Sequence, residues 1–258
     1  FIKNKRNISY IFEREMKPIK KLKGKTVAIV GLGKSWFDYN LAKSHSVHFD
    51  EVWAINAVAS VIFHDRVFMM DPPSRFLDTE DAGGQTDCMK ELLLNHNKPI
   101  YTCEADTRCK SLVEYPVHEI VKSTNCHYLN NTVAYAVAFA YWNDVANIKL
   151  FGIDFTYKNN LHFAEQGRAC VEFWLVKCME KGIQVEVASS SSLLDTNIPG
   201  EQRLYGYHRL HDPLVPVSGK EGLELKKISE LKVQKKIVLP QVADRYDSHL
   251  KPPEPNKW

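Results

Sequence analysis

Six short apolar runs recur along the chain: KTVAIVG, EVWAINAV, RVFMMDPP, KPIYTCEA, NIKLFGIDF and IQVEVASSSSLL. Runs this short and this apolar read as strands covered on both faces. The segments between them read differently. WFDYNLAKSHSVHF is a helix or a loop leading into one, and the alanine-rich NNTVAYAVAFAYWNDV is a buried helix. EQGRACVEFWLVKCMEKG is a further helix, stopped at Gly182. Strands alternating with helices build a mostly parallel sheet with helices on both faces.

This predicts a Rossmann-like α/β domain over residues 25–198. A basic leader precedes it, residues 1–24. From 199 to 258 the texture changes. YGYHRLHDPLVPVSG is loop-like, LELKKISELKVQKK reads as a charged helical run, and KPPEPNKW is a proline-rich tail. This extension is read as a lid or interaction segment, and its basic helical part suits contact between copies of the chain. The hydrophobic content of 44% is enough for a sizeable core. A formal charge of +3 is too small to point to nucleic acid or a membrane surface. The two basic ends nevertheless suit an anionic acceptor. Six cysteines form no C-x-x-C pair, and no apolar run reaches the length of a membrane span. Reduced thiols and a cytoplasmic location are expected.

In open parallel sheets, ligands bind beyond the carboxyl ends of the strands. That rule selects Gly31, Gly33, Lys34 and Ser35 after the first strand, Asn56 after the second and Asp71 after the third. Asn130 and Asn131 open the buried helix, Asp154 and His162 follow the fifth strand, and Ser189 to Ser192 follow the sixth. The turn GLGKSW does not fit the dinucleotide fingerprint, which wants a small residue where Trp36 stands. The second strand also ends in Asn56, where that fingerprint wants an acid to hold the ribose. A Walker A loop fails on spacing. Two readings remain: glycines that let backbone amides approach a phosphate or sugar, with Lys34 and Ser35 assisting, or glycines that merely make a tight turn.

The order of strand-G-x-G-x-S, strand-x-N and LNNTVAYAVAFAYWNDVANIKLFGIDF resembles the bacterial sialyltransferases of the lipooligosaccharide type. KLFGIDFTYKNNLHF, VEFWLVKCMEKGIQVEV and SSSSLLD strengthen the likeness, which runs from Lys25 to Asp195. The 6-hydroxymethylpterin pyrophosphokinases of the MptE type share much of the pattern. The sialyltransferase resemblance implies a CMP-sugar as donor substrate, no cofactor and no metal. It implies Gly31, Gly33 and Ser35 lining the nucleotide site, Asn56 on the nucleotide or its phosphate, and Asn131 near the cytidine. Asp154 belongs to the G-I-D-F strand end, and His162 matches the catalytic histidine by its spacing to Phe173. Lys34 replaces that family's proline, and Trp36 its leucine. For the tyrosines that hold the leaving phosphate, Tyr128, Tyr135 and Tyr157 are candidates.

Sugar transfer needs a base for the acceptor hydroxyl, a stabilised leaving phosphate and a dry reacting centre. Histidine suits the first role because free imidazole titrates near neutrality, and His162 in YKNNLHFAEQ reads as a loop base or an ordinary exposed or capping residue. Asp154 is read as orienting the base or binding sugar hydroxyls, or as capping a turn. Asp71 and Asp154 would be Mg²⁺ ligands under the alternative, an ATP-dependent pyrophosphokinase. A non-catalytic nucleotide-binding module is a third reading. His208, His211 and Asp212 are read as a lid or acceptor loop, as plain surface, or as an H-x-x-H-D metal site that no cysteine or further motif supports.

Overall fold

Among the described residues, the six apolar runs become strands of one parallel sheet, which a seventh, short strand extends. The computed structural model describes residues 16–80, 82–156, 160–207, 212, 214–219 and 222–231. The chain divides into two units, residues 1–200 and 201–258. In the first, the strands are β1 (Thr26–Val30), β2 (Glu51–Ile55), β3 (Arg66–Phe68), β4 (Ile100–Thr102), β5 (Leu112–Glu114), β6 (Asn147–Phe151) and β7 (Gln184–Val187). They lie in the order β5-β4-β3-β2-β1-β6-β7, every neighbouring pair parallel. The helices are α1 (Trp36–Ser44), α2 (Ser74–Leu77), α3 (Thr86–Asn95), α4 (Val117–Thr124), α5 (Thr132–Trp142) and α6 (Leu161–Glu180). This is the Rossmann-like arrangement expected.

The pleat explains the unbroken apolar strands. Val27 and Ile29 of β1 enter one core with Trp53, Phe68, Phe139 and Trp174, under α4, α5 and α6. Ala28 and Val30 enter the other with Tyr39, Phe76, Met89 and Leu93, under α1, α2 and α3. Successive side chains point to opposite faces, so a strand covered on both sides is apolar at every position. At the amino ends of β2 and β3 the sheet buries one ion pair, Arg66 Nε to Glu51 Oε2 at 2.7 Å. Burial alone would raise the Glu51 carboxyl, but hydrogen bonds from Arg66 and Trp53 hold it below its ordinary value.

Four boundaries differ from the sequence reading. The second strand stops at Ile55, because Asn56 takes a left-handed φ of +52° and opens a 3-10 turn over Asn56–Ser60. β5, α2, α3 and α4 were not read from the sequence. The helix read from Glu165 begins at Leu161, where Asn160 caps it by accepting from Phe163 N at 3.2 Å. In the second unit, the stretch read as loop followed by helix is an antiparallel hairpin, β8 (Leu214–Gly219) with β9 (Gly222–Lys227). Leu223 and Leu225 alternate there with Glu224 and Lys226, so the period is two, and the charged run masked it. The rest of that run lies outside the described residues.

Candidate functional site

The strand order reverses at β1. The chain leaves it towards β2 and later returns on its other flank as β6. The crevice beyond the carboxyl ends of these two strands is the switch point of the sheet.

Two glycine corners meet there. Gly31 N donates to Phe151 O and Gly33 N to Gly152 O, both at 2.8 Å. Ser35, fully buried, accepts on Oγ from Gly152 N at 2.9 Å and donates its own amide to Asp154 Oδ2 at 2.8 Å. A β-carbon on Gly31 would lie 2.6 Å from Gly152 O, and one on Gly33 would lie 2.7 Å from the same atom. Gly152 has φ +66°, and a β-carbon on it would lie 2.7 Å from Gly31 C. The glycines are therefore required by the approach of one corner to the other. Of the two readings of this turn, the tight-turn one accounts for its glycines. The amides of Gly31, Gly33 and Ser35 and the Ser35 hydroxyl are bonded to the β6 corner, and Lys34 stands exposed beside them.

Against this corner lies a cleft of about 330 Å³, lined by Gly31, Gly33, Ile55, Gln85, Asp154 and Phe155 among others. Asp154 is 3% exposed. Its Oδ2 is held by the Ser35 amide, while its Oδ1 is buried with no partner. Among the described residues, two other buried side-chain polar atoms lack a partner: Asn56 Oδ1 and Thr86 Oγ1. Each belongs to the residue following one that lines the cleft, Ile55 and Gln85. Buried polar atoms are almost always bonded, so the unpartnered Oδ1 of Asp154, a residue that lines the cleft, marks a place where a ligand's donor would be received.

The remaining expected residues divide. Asn131 caps α5, accepting from Ala134 N at 3.1 Å, and its amide donates to Asn130 Oδ1 and Gly167 O. Asn130 donates to Gln166 O at 3.1 Å. Both asparagines thus lash α5 to α6, and the Asn131 side chain is fully engaged in doing so. Asp71 is paired with Arg75 Nη1 at 2.5 Å. The strands leading to Asp71 and Asp154 are separated by β2 and β1, a spacing of about 14 Å. His162 is on the exposed first turn of α6, not in a loop, and its Nε2 lies 3.0 Å from Gln166 Nε2. An amide nitrogen donates, so His162 Nε2 accepts and carries the lone pair.

The serine cluster is scaffold. Ser189 and Ser190 bond Asp38 Oδ2, Ser191 Oγ donates to Ile153 O at 2.7 Å, and Ser192 Oγ donates to Asp154 O. Tyr128 is exposed and stacks edge-on against Phe173. Tyr135 meets Tyr115 edge-on at 4.9 Å, and burial raises its phenol. Tyr157, His208 and His211 lie outside the described residues. Asp212 accepts from Ser229 N at 3.0 Å. Among the described residues, no group of three or more His, Cys, Asp or Glu is placed to hold a metal.

Sequence reasoning passed over Gln85 and Thr86. The signal available was the pair of glycines before them, in GGQT, but no strand precedes that turn. A second cleft of about 330 Å³, between α1 and β7, is chemically quieter. Its Lys149 and Glu186 pair at 2.8 Å, and its Asp38 is bonded by the serines.

No described helix is long and apolar enough to cross a membrane. No family model and no curated protein matches the chain. Solved structures do. The sialyltransferase CstII from Campylobacter jejuni, in complex with the substrate analogue CMP-3FNeuAc, matches at 18% identity with a TM-score of 0.45, covering 65% of this chain and 82% of that one. The same enzyme in complex with cytidine-5'-monophosphate matches at 18% identity and 0.43, covering 68% and 84%. An α-2,3-sialyltransferase from Campylobacter jejuni in apo form matches at 17% and 0.44, covering 72% and 83%. These are likenesses at low identity.

Proposed function

We propose that the chain is a glycosyltransferase, moving a sugar from a nucleotide-sugar donor, with CMP-sugars favoured, to an acceptor hydroxyl. The observation that carries this reading is Asp154. One of its carboxyl oxygens is fixed by the Ser35 amide, and the other is buried and without a partner in the switch-point cleft. Such an oxygen accepts hydrogen bonds and needs a ligand that brings donors. The hydroxyls of a sugar or a ribose supply them. Asn56 Oδ1 offers a second acceptor of the same kind.

In this reaction the acceptor oxygen bonds to the sugar carbon as the bond to the leaving phosphate breaks, and a base takes the hydroxyl proton. His162 is the base in this reading. Its Nε2 lone pair faces Gln166, whose side chain must turn aside for the acceptor hydroxyl to take its place. Fixing one oxygen of Asp154 leaves the other aimed by the backbone itself, so the donor's hydroxyls are met by a group that need not reorganise.

The pyrophosphokinase alternative rested on Asp71 and Asp154 converging on one ion. Asp71 is closed by Arg75 instead, and nothing in the geometry favours that second reading.

The test is turnover of CMP-, UDP- and GDP-activated sugars, followed by nucleotide release, in the wild type and two variants. His162→Ala should lower turnover by about 100-fold or more while leaving CMP binding unchanged. Asp154→Asn should weaken binding of the intact donor more than binding of CMP alone. Full turnover in His162→Ala would remove the base assignment. A wild-type protein that neither binds nor cleaves any of the donors would remove the whole reading.

A further inference from the structure

We propose that the outer face of α1, with the turn before it, is a membrane-contact surface that sets the mouth of the cleft against an anionic lipid bilayer. The inference concerns the surface beside the cleft and does not depend on which ligand the cleft takes.

A helix packed against a sheet on one side should be polar on the other. α1 breaks that rule at two positions. Tyr39 and Ala42 turn inward to the core, and Asn40, Lys43 and Ser44 keep the outside polar. Phe37, however, is 64% exposed and Leu41 58%. They stand four residues apart, which makes them neighbours on the helix surface. The Trp36 ring adds to them, 4.9 Å from that of Phe37. Leu32, in the turn after β1, is 52% exposed and lines the cleft that holds Asp154. Over residues 32–41, exposed apolar side chains thus lead from the lip of the cleft along α1.

The charges of the same stretch have one sign. Lys34 and Lys43 are exposed. The one acid between Leu32 and Phe49 is Asp38, and its Oδ2 is taken by Ser189 and Ser190. The chain's formal charge of +3 does not reveal this local excess, because it sums over every residue.

Apolar tips flanked by lysines fit anionic headgroups lying over acyl chains. The leucine and aromatic side chains enter the acyl boundary, and the long lysine stems keep their ammonium groups among the phosphates. A protein partner or a second copy fits less well. A stable protein interface takes about 20 residues a side. A few protruding side chains on the nine-residue helix Trp36–Ser44 fall well short of that, whereas a bilayer needs no matching shape. Phe63, more exposed still, lies at the opposite end of the sheet, and the Lys98 ammonium sits over its ring at 3.8 Å.

The experiment sediments the full chain with phosphatidylcholine vesicles, with and without phosphatidylglycerol. The wild type should bind the anionic vesicles and hold them less tightly as salt is added. Phe37→Ser and Leu41→Ser should each weaken that binding by about tenfold, and Lys43→Ala by about fivefold. Phe63→Ser removes a ring at least as exposed from the far end of the sheet and should change nothing. All four positions are exposed, so the variants should melt close to the wild type. A wild type that stays in the supernatant overturns the proposal. Binding that Phe37→Ser and Leu41→Ser leave unchanged also overturns it, since the basic ends of the chain would then carry the contact. The same holds for binding that Phe63→Ser lowers as much as they do. A wild type that self-associates without lipid, and that Phe37→Ser disperses, would give the face to a second copy, and the proposal falls.

Discussion

Two glycine-containing turns face the same cleft and differ in what surrounds them. At the β1 turn, Gly31 and Gly33 lie against the backbone of Gly152, and every amide named above is bonded within the protein. At the α3 turn the amides of Gly83, Gln85 and Thr86 are bonded as well, to Glu80 O, Ala82 O and Gly83 O, but Gly83 and Gly84 face open space. The same residue type serves close packing in one place and an open, exposed turn in the other. A glycine motif at a strand end is thus evidence for a tight approach, and the surroundings decide what approaches.

The sharpest way to break this comparison is to add a methyl group on the closed side. Gly152→Ala would drive a β-carbon into the Gly31 backbone at a left-handed φ of +66°. Overpacking against backbone, together with the strained conformation, should cost about 3 kcal/mol or more. That corresponds to a drop of roughly 10 °C in melting temperature. A Gly152→Ala protein that melts with the wild type would mean that the two corners are not tightly packed, and the amides after β1 would again be open to a ligand.

What could be read from the sequence follows the same division. β1, β2, β3 and β4 were legible because strands covered on both faces are written as continuous apolar runs, and the edge strand β7 because Gln184 and Glu186 alternate with Val185 and Val187. Asp154 was legible as a polar residue just beyond a strand, and Asn131 as the polar residue opening a buried helix. Their roles were not, because those depend on partners far away in the chain. Ser35 and Asp154 are 119 residues apart, and Asn131 and Gly167 are 36 apart. β5 escaped notice because it has three residues and sits at the sheet edge, only partly buried. His162 was placed in a loop because the cap that starts its helix, Asn160, sits among the similar polar residues of KNN. GGQT carries no strand-end signal, because this turn follows a helix.

A smaller effect concerns the conditions under which the turns are compared. At the opposite end of the sheet, His64 donates from Nδ1 to Ile62 O at 2.9 Å, which leaves its Nε2 to accept from His96 Nε2 at 3.1 Å. Burial is the main cause holding both rings below the ordinary imidazole value. The Lys98 charge lowers both further, His64 lowers His96, and Asp65 opposes the shift at His64. The folded state thus binds these protons less readily than the unfolded chain. The pair's contribution is fully present above the unfolded histidine pKa of about 6.5 and is lost as pH falls through the lowered folded values. Urea midpoints should accordingly fall between about pH 7 and pH 5, and His96→Asn should flatten that fall. The gap between wild type and Gly152→Ala should stay constant over the same range, since neither glycine corner contains a histidine. A gap that closes with acid would tie the corner to the histidine pair.

The smallest change in stability belongs to the open side. Gly84 has no left-handed φ and no neighbour within 4 Å of an added β-carbon. Gly84→Ala should therefore leave the melting temperature unchanged or raise it, by at most about 1 kcal/mol, through the reduced freedom of the unfolded chain. A Gly84→Ala protein that is markedly less stable would place the α3 turn in the same class as the β1 turn, as a packed corner. One that melts with the wild type or above it would confirm that the glycines of GGQT serve the geometry of an open turn.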